Sequence, residues 1–169
     1  MIAYRTPGRD DIPAMAELVR AADESQAEWA GETPMPTVEE EALEWELRFA
    51  AAGSWIEVAE TTSPPTRIVG AAAFRAGTVS REDRTPVPGL AHVNAVFVHP
   101  SAWRRGIART LLEHAVEAMR AAGFDRAQLW TLEGSPAEDF YRAQGWARDG
   151  RRDHYPPMGL DVVAYVRTL

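Results

Sequence analysis

The stretch His92–Ala115, HVNAVFVHPSAWRRGIARTLLEHA, decides the fold. Its first half is an apolar β-type run through Val98 that stops at Pro100, since proline has no N–H for a sheet ladder. Its second half enters a helix through Arg104, Arg105, Gly106, Ile107, Ala108 and Arg109, and the apolar stripe carries that helix to about Ala122. Glycine at 106 permits close backbone approach, and the small Ala108 keeps the helix mouth open. Successive N–H groups at such a turn point at an anion while the helix dipole favours negative charge, so the segment suits a pyrophosphate.

Ala127–Leu132 follows as a second strand, and a strand, crossover helix and strand of these lengths form a βαβ unit with parallel strands. Upstream, Ile2–Thr6 predicts a strand and Asp10 or Asp11 caps a helix through Ala22. Residues 23–36 predict a loop, after which Thr37 and Glu40 stand at capping-box spacing before a helix that carries Leu43, Trp45, Leu47 and Phe49 and ends near Gly53. Trp55–Glu60 and Arg67–Phe74 are two strands joined around Pro64 and Pro65, with a polar loop over 76–89 and the next strand from Leu90. Pro136–Gln144 predicts a short helix stopped by Gly145, and Trp146–Tyr155 and Leu160–Thr168 a final strand pair joined through Pro156, Pro157 and Gly159. This order predicts an α/β fold: one central, mostly antiparallel sheet with a parallel βαβ core and helices on both faces.

A length of 169 residues suits a single domain over 1–169, with no tandem repeat. No apolar run reaches the roughly 20 residues of a membrane span and no signal-peptide pattern opens the chain, so the expected location is cytoplasmic. A net charge of −7 argues against nucleic acid as a partner. The chain has no cysteine, which removes thiolate metal sites and a Cys nucleophile, and its 18 basic residues are all arginine, which removes lysine bases and Schiff bases. His99 reads as a surface residue, and His114 and His154 show no metal-ligand spacing with any partner, so no metal is expected.

Three segments carry a resemblance to the GNAT superfamily of acyl-CoA-dependent N-acetyltransferases. WRRGIA, Trp103–Ala108, looks like its Gln/Arg-x-x-Gly-x-Gly/Ala motif; AVFVHP, Ala95–Pro100, looks like its fourth strand; DFYRAQGW, Asp139–Trp146, looks like its late Phe-Tyr-x-x-x-Gly-aromatic motif. Trp103 stands where that family usually has Gln or Arg, and EGSPAEDFY, Glu133–Tyr141, lacks the Asn of many members. The resemblance implies acetyl-CoA as co-substrate and an amine acceptor. It also implies a V-shaped opening between the fourth and fifth strands, with a bulge near Phe97 and Val98 that frees backbone groups for the pantetheine arm. Val98 N–H then polarises the thioester carbonyl, and Tyr141 protonates the departing thiolate. Relatives commonly dimerise, so a homodimer belongs among the expectations.

Amine acetylation also needs a base, because an ammonium has no lone pair. His92 lies on the fourth strand where some family members carry a catalytic glutamate, and an ordinary imidazole pKa of about 6.5 suits the task. Period-two alternation places Asn94 on the same side, as a candidate holder of a relay water. For the acceptor, nine acidic residues and no arginine lie between Asp23 and Leu47, an acidic rim in which Trp29, Glu32 and Trp45 are candidate contacts. Arg151, Arg152, Asp153, His154 and Tyr155 make a second wall, largely basic, whose two arginines suit a carboxylate or phosphate. The expected activity is direct transfer of acetyl to a primary amine of a small molecule within a ternary complex. Acetylation of protein N-termini or lysines, and a non-catalytic acyl-CoA sensor, are its alternatives.

Overall fold

The computed structural model describes residues 1–169. In chain order its elements are β1 (Ile2–Arg5), α1 (Ile12–Glu24), α2 (Ala27–Ala30), α3 (Val38–Ala50), β2 (Trp55–Thr61), β3 (Ile68–Thr78), β4 (Pro86–Val98), α4 (Ile107–Ala121), β5 (Arg126–Leu132), α5 (Pro136–Ala143), β6 (Ala147–Tyr155) and β7 (Leu160–Thr168). The seven strands form one sheet in the order β1-β2-β3-β4-β5-β7-β6. Only β4 and β5 run parallel, as the βαβ reading requires, and α4 is their crossover. No helix is long and apolar enough to cross a membrane.

Local chemistry sets the helix starts. Thr37 Oγ1 accepts from Glu40 N–H at 3.2 Å while the Glu40 carboxylate accepts from Thr37 N–H at 2.7 Å, the reciprocal cap that the spacing predicts. Helices α1 and α3 bury Met15, Leu18 and Trp45 against Val58, Ala71, Ala73 and Ala95 on one face of the sheet. On the other face α4 buries Leu112, Ala115 and Met119 against Phe74, Ala91, Val93 and Leu129. Each large side chain fully buried in these layers contributes about 1.5–3 kcal/mol.

Two boundaries differ from the sequence reading. The segment over 76–89 is not all loop: β3 runs on to Thr78 and β4 begins at Pro86, so the hairpin projects beyond the rest of the sheet. Prolines 86 and 88 mask that strand in the sequence, and there β4 pairs only with β3, so a missing N–H is tolerated. Within 23–36 the short helix α2 interrupts the expected loop.

The start of α4 packs directly on β3 at Gly70. A Cβ there would lie 2.8 Å from Ile107 Cγ2 and 3.1 Å from Leu111 Cδ1, and the branched Ile107 cannot swing aside. Gly70→Val should therefore cost about 1–3 kcal/mol in urea unfolding through overpacking. An unchanged midpoint would show that the contact is slack.

Candidate active site

Register fixes the site. On the β3 side of β4 the pairing passes from Ala73↔Ala95 to Phe74↔Val93, leaving Asn94 without a partner. The bulge thus lies at Asn94, not near Phe97 and Val98 as expected from the resemblance; those two pair regularly with Ala71 and Gly70. On the other side, β5 pairs with β4 only over Leu90–Val93. Beyond that point the two strands part, as the expected V-shaped opening requires.

His99 N–H donates to Val69 C=O at 2.9 Å, which sets the alternation along the ladder. Phe97 and Ala95 bond towards β3, so the N–H and C=O of Val96 and Val98 point into the gap left by β5. The Val98 carbonyl accepts from Trp103 Nε1 at 2.8 Å. Trp103, occupying the motif position usually held by Gln or Arg, therefore turns back onto β4, and the Val98 N–H still faces the gap.

A cavity of about 2000 Å³ runs along this gap, from the α4 N-terminus at one end to α3 and the β3–β4 hairpin at the other. At the first end Arg104 and Gly106 adopt left-handed backbone, with φ of 59° and 77°. Arg104 is the only non-glycine residue with positive φ, and no side chain caps the N–H groups of the first turn. A Cβ on Gly106 would meet no atom within 4 Å, so the backbone cradle opens onto free space. Arg104, Gly106, Ile107, Ala108 and Arg109 border the cavity, whereas the exposed Arg105 does not.

Tyr141 borders the cavity midway, buried between the rings of Phe140, Trp146 and Tyr165. Burial alone pushes its phenol well above the ordinary value, so it is protonated at neutral pH. Its helix is pinned by Glu138. That carboxylate is 3% exposed and accepts from Tyr165 Oη at 2.5 Å, from Arg148 at 2.7 and 2.8 Å, and from Gly134 N–H at 2.8 Å. Ser135, at the α5 N-cap, also borders the cavity, and its buried Oγ has no partner.

His92 and Asn94 border the cavity as well. Burial, and then Arg75, Arg151, Arg48 and Arg81, push His92 down to about 3, far from the ordinary imidazole value expected for it. The cavity's carboxylates move the other way. Burial and the neighbouring Asp23 push Glu41 up to about 7, and burial pushes Asp23 up to about 6.

Among the acceptor candidates, Trp29 and Tyr155 border the cavity. Trp45 does not: it is fully buried in the α1–α3 core, beneath the Arg48 guanidinium at 4.8 Å. The exposed Glu32 lies outside, and His154 is turned to Asp161 at 3.0 Å. Of the two arginines in the basic wall, Arg151 faces the cavity, while Arg152 is ion-paired with Glu133 and Asp161. Sequence reasoning missed Arg48, Arg75, Glu41 and Asp23 as a group, because they meet only through the packing of α1 and α3 over the sheet.

Known structures share this architecture. A GNAT-family acetyltransferase from Staphylococcus aureus Mu50 superposes with a TM-score of 0.76 at 17% identity, over 100% of this chain and 99% of the other. The PaiA N-acetyltransferase from Thermoplasma acidophilum, solved with coenzyme A, gives 0.74 at 15% identity over 100% and 99%. The ribosomal-protein-S18-alanine N-acetyltransferase from Escherichia coli gives 0.72 at 14% identity over 99% and 94%. No curated protein sequence matches the chain. The sequence profile of the Acetyltransferase (GNAT) family matches residues 16–146, well over half the length, and the chain therefore belongs to the GNAT acetyltransferase family.

Proposed function

We propose that the protein transfers acetyl from acetyl-CoA to a primary amine of a small molecule, by direct attack while both are bound. The observation that carries this reading is the gap beyond Val93, where the N–H groups of Val96 and Val98 face a cavity flanked by an uncapped helix start. Bound acetyl-CoA supplies the activated thioester. The residues present fit it: the turn Arg104–Ala108 offers backbone N–H groups to the pyrophosphate, and the β4 edge offers amides to the pantetheine arm.

Val98 N–H faces the place where the carbonyl oxygen gains charge as the amine attacks, and it stabilises that charge. Tyr141, kept protonated by burial, donates to the departing sulfur. The ammonium proton needs a base matched to neutral pH. Glu41, which borders the cavity and is pushed up to about 7, suits this better than His92, at about 3, and Asn94 is the candidate holder of a relay water. A small acceptor is supported by the hairpin and the β6–β7 turn, which meet at the far end of the cavity. There the Arg81 guanidinium lies 5.8 Å from the Tyr155 ring.

The test is thermal stabilisation by acetyl-CoA, CoA and an unrelated nucleotide. At a hundred times its Kd a ligand adds about 2.7 kcal/mol to stability. Acetyl-CoA and CoA should both raise the melting temperature of the wild type, and Gly106→Glu should abolish the shift by placing a carboxylate in the cradle. No shift at millimolar CoA would sink the proposal. A shift without turnover on any amine or peptide would make the protein a sensor, and turnover on peptides alone would make it a protein acetyltransferase.

A further inference from the structure

The acceptor end of the cavity holds a set of polar groups that are only partly satisfied within the protein: Arg75 donates to Ala76 C=O at 2.9 Å and Arg151 is ion-paired with Asp149 at 2.7 Å. Arg75 on β3 pairs with His92 on β4, and His92 pairs with Gln128 on β5, so the three side chains form a row across one face of the sheet. Arg151 joins the row by donating to Gln128 Oε1 at 3.0 Å. From α3, Arg48 donates to Asn94 C=O at 3.5 Å. All of these residues border the cavity.

Arg48 and Arg75 are half-buried, yet no carboxylate lies within ion-pair distance of either. Glu41 and Glu44 act on Arg48 only from beyond that distance, and the one charge acting on Arg75 is another arginine, Arg84. In addition, Arg48 Nη1, His92 Nδ1 and Asn94 Oδ1 are buried without any hydrogen-bond partner. Unpaired charge and orphaned polar atoms are costly to bury, and they cluster where a ligand completes them. The chemistry of the set defines the missing ligand. Two guanidiniums call for an anion, and an amide oxygen calls for an N–H. Asp23 and Glu41 border the same cavity, so positive charge on the ligand is matched too.

We infer that the acetyl acceptor is an amine that also carries a carboxylate or a phosphate: the anion sits on Arg48 and Arg75 beside His92, and the amine reaches the bulge at Asn94. The amine half of this inference rests on the acetyltransferase reading; the anion seat does not. A polyamine is disfavoured, because its second cation would meet two unpaired arginines. Asp23 and Glu41 of the acidic rim then match the amine of a zwitterionic acceptor, while its anion is met by Arg48 and Arg75 and not by the ion-paired Arg152 of the basic wall.

The test uses matched pairs: each common L-amino acid against its amide, and O-phosphoethanolamine against ethanolamine, with spermidine as the polycation. Binding is read by calorimetry with CoA present, and transfer by thiol release from acetyl-CoA. At least one anionic member should bind, and be acetylated with a kcat/KM, at least tenfold better than its neutral partner. Whether an amino acid or O-phosphoethanolamine shows the preference identifies carboxylate or phosphate. Arg75→Gln and, separately, Arg48→Gln should raise KM for that compound and bring the ratio close to one, while stabilisation by CoA persists and reports an intact fold. Stronger binding of amides, ethanolamine or spermidine, no binding of any anionic amine, or a ratio that survives in both variants would overturn the inference. CoA binding without anionic-amine binding rejects this inference alone. Anionic-amine binding without CoA binding or transfer rejects the acetyltransferase reading and leaves the anion seat standing.

Discussion

Tyr141→Phe is expected to lower kcat for acetyl transfer by about 10²–10³-fold while leaving stabilisation by CoA intact. The phenylalanine ring keeps the contacts with Phe140, Trp146 and Tyr165 that hold the side chain, so only the hydroxyl is lost. Burial pushes that hydroxyl's pKa up, which keeps it protonated and makes it a weaker acid than an ordinary phenol, so it acts as a hydrogen-bond donor to the charge developing on the departing sulfur. A thiolate that leaves unprotonated is in equilibrium with its return, and the substitution should therefore act on kcat far more than on the KM for acetyl-CoA. Pre-steady-state thiol release would separate the two. A variant with undiminished kcat would remove Tyr141 from the chemistry and leave it a packing residue.

Glu138→Ala should cost about 1–3 kcal/mol of stability, a large share of what a domain of this size possesses. The loss follows from what remains: Arg148 and the Tyr165 hydroxyl lose their common acceptor, and Gly134 N–H loses its partner. Burial by itself would raise the Glu138 pKa, but the bonds from Tyr165, Arg148 and Gly134 outweigh it and hold the carboxylate at about 2. The unfolded value is about 4.3, so the folded pKa is depressed, and the contribution is complete above pH 4–5 and lost as pH falls towards 2. Urea unfolding from pH 7 to pH 3 should show wild-type stability falling through that window, with a shallower slope for Glu138→Gln. Parallel slopes would contradict the account. Because α5 also carries Tyr141, Glu138→Gln should reduce kcat as a positioning effect even where it folds.

Most of the fold was legible because the signals were local. The reciprocal cap at Thr37 and Glu40, the stop at Gly145, and the strand, helix, strand order around Gly106 each depend on residues a few positions apart. The site was legible where it is made of backbone, as at the α4 entrance. It was not legible where side chains from distant elements meet. Trp45 has the composition of a ligand wall and the burial of a core residue, and only the packing of α1 on α3 decides between them. His92 has an ordinary pKa until the fold buries it and brings four arginines from β3, β6, α3 and the hairpin around it. Asn94 was expected to share a side with His92, and nothing in HVNAVFV announces the extra residue, because small and apolar side chains continue on both sides of it.

That extra residue also acts as a change of phase in how the strand is read. Before Asn94 the odd-numbered Ala91 and Val93 face α4; after it the even-numbered Val96 and Val98 do, and Ala95 and Phe97 turn to α1 and α3. A strand kept in one phase would send either its first or its second half into the wrong layer. Closing the cleft by deleting a residue would therefore invert the second half of β4 and dismantle two cores at once. The bulge is thus held in place by the parity of the whole strand and not by a single contact.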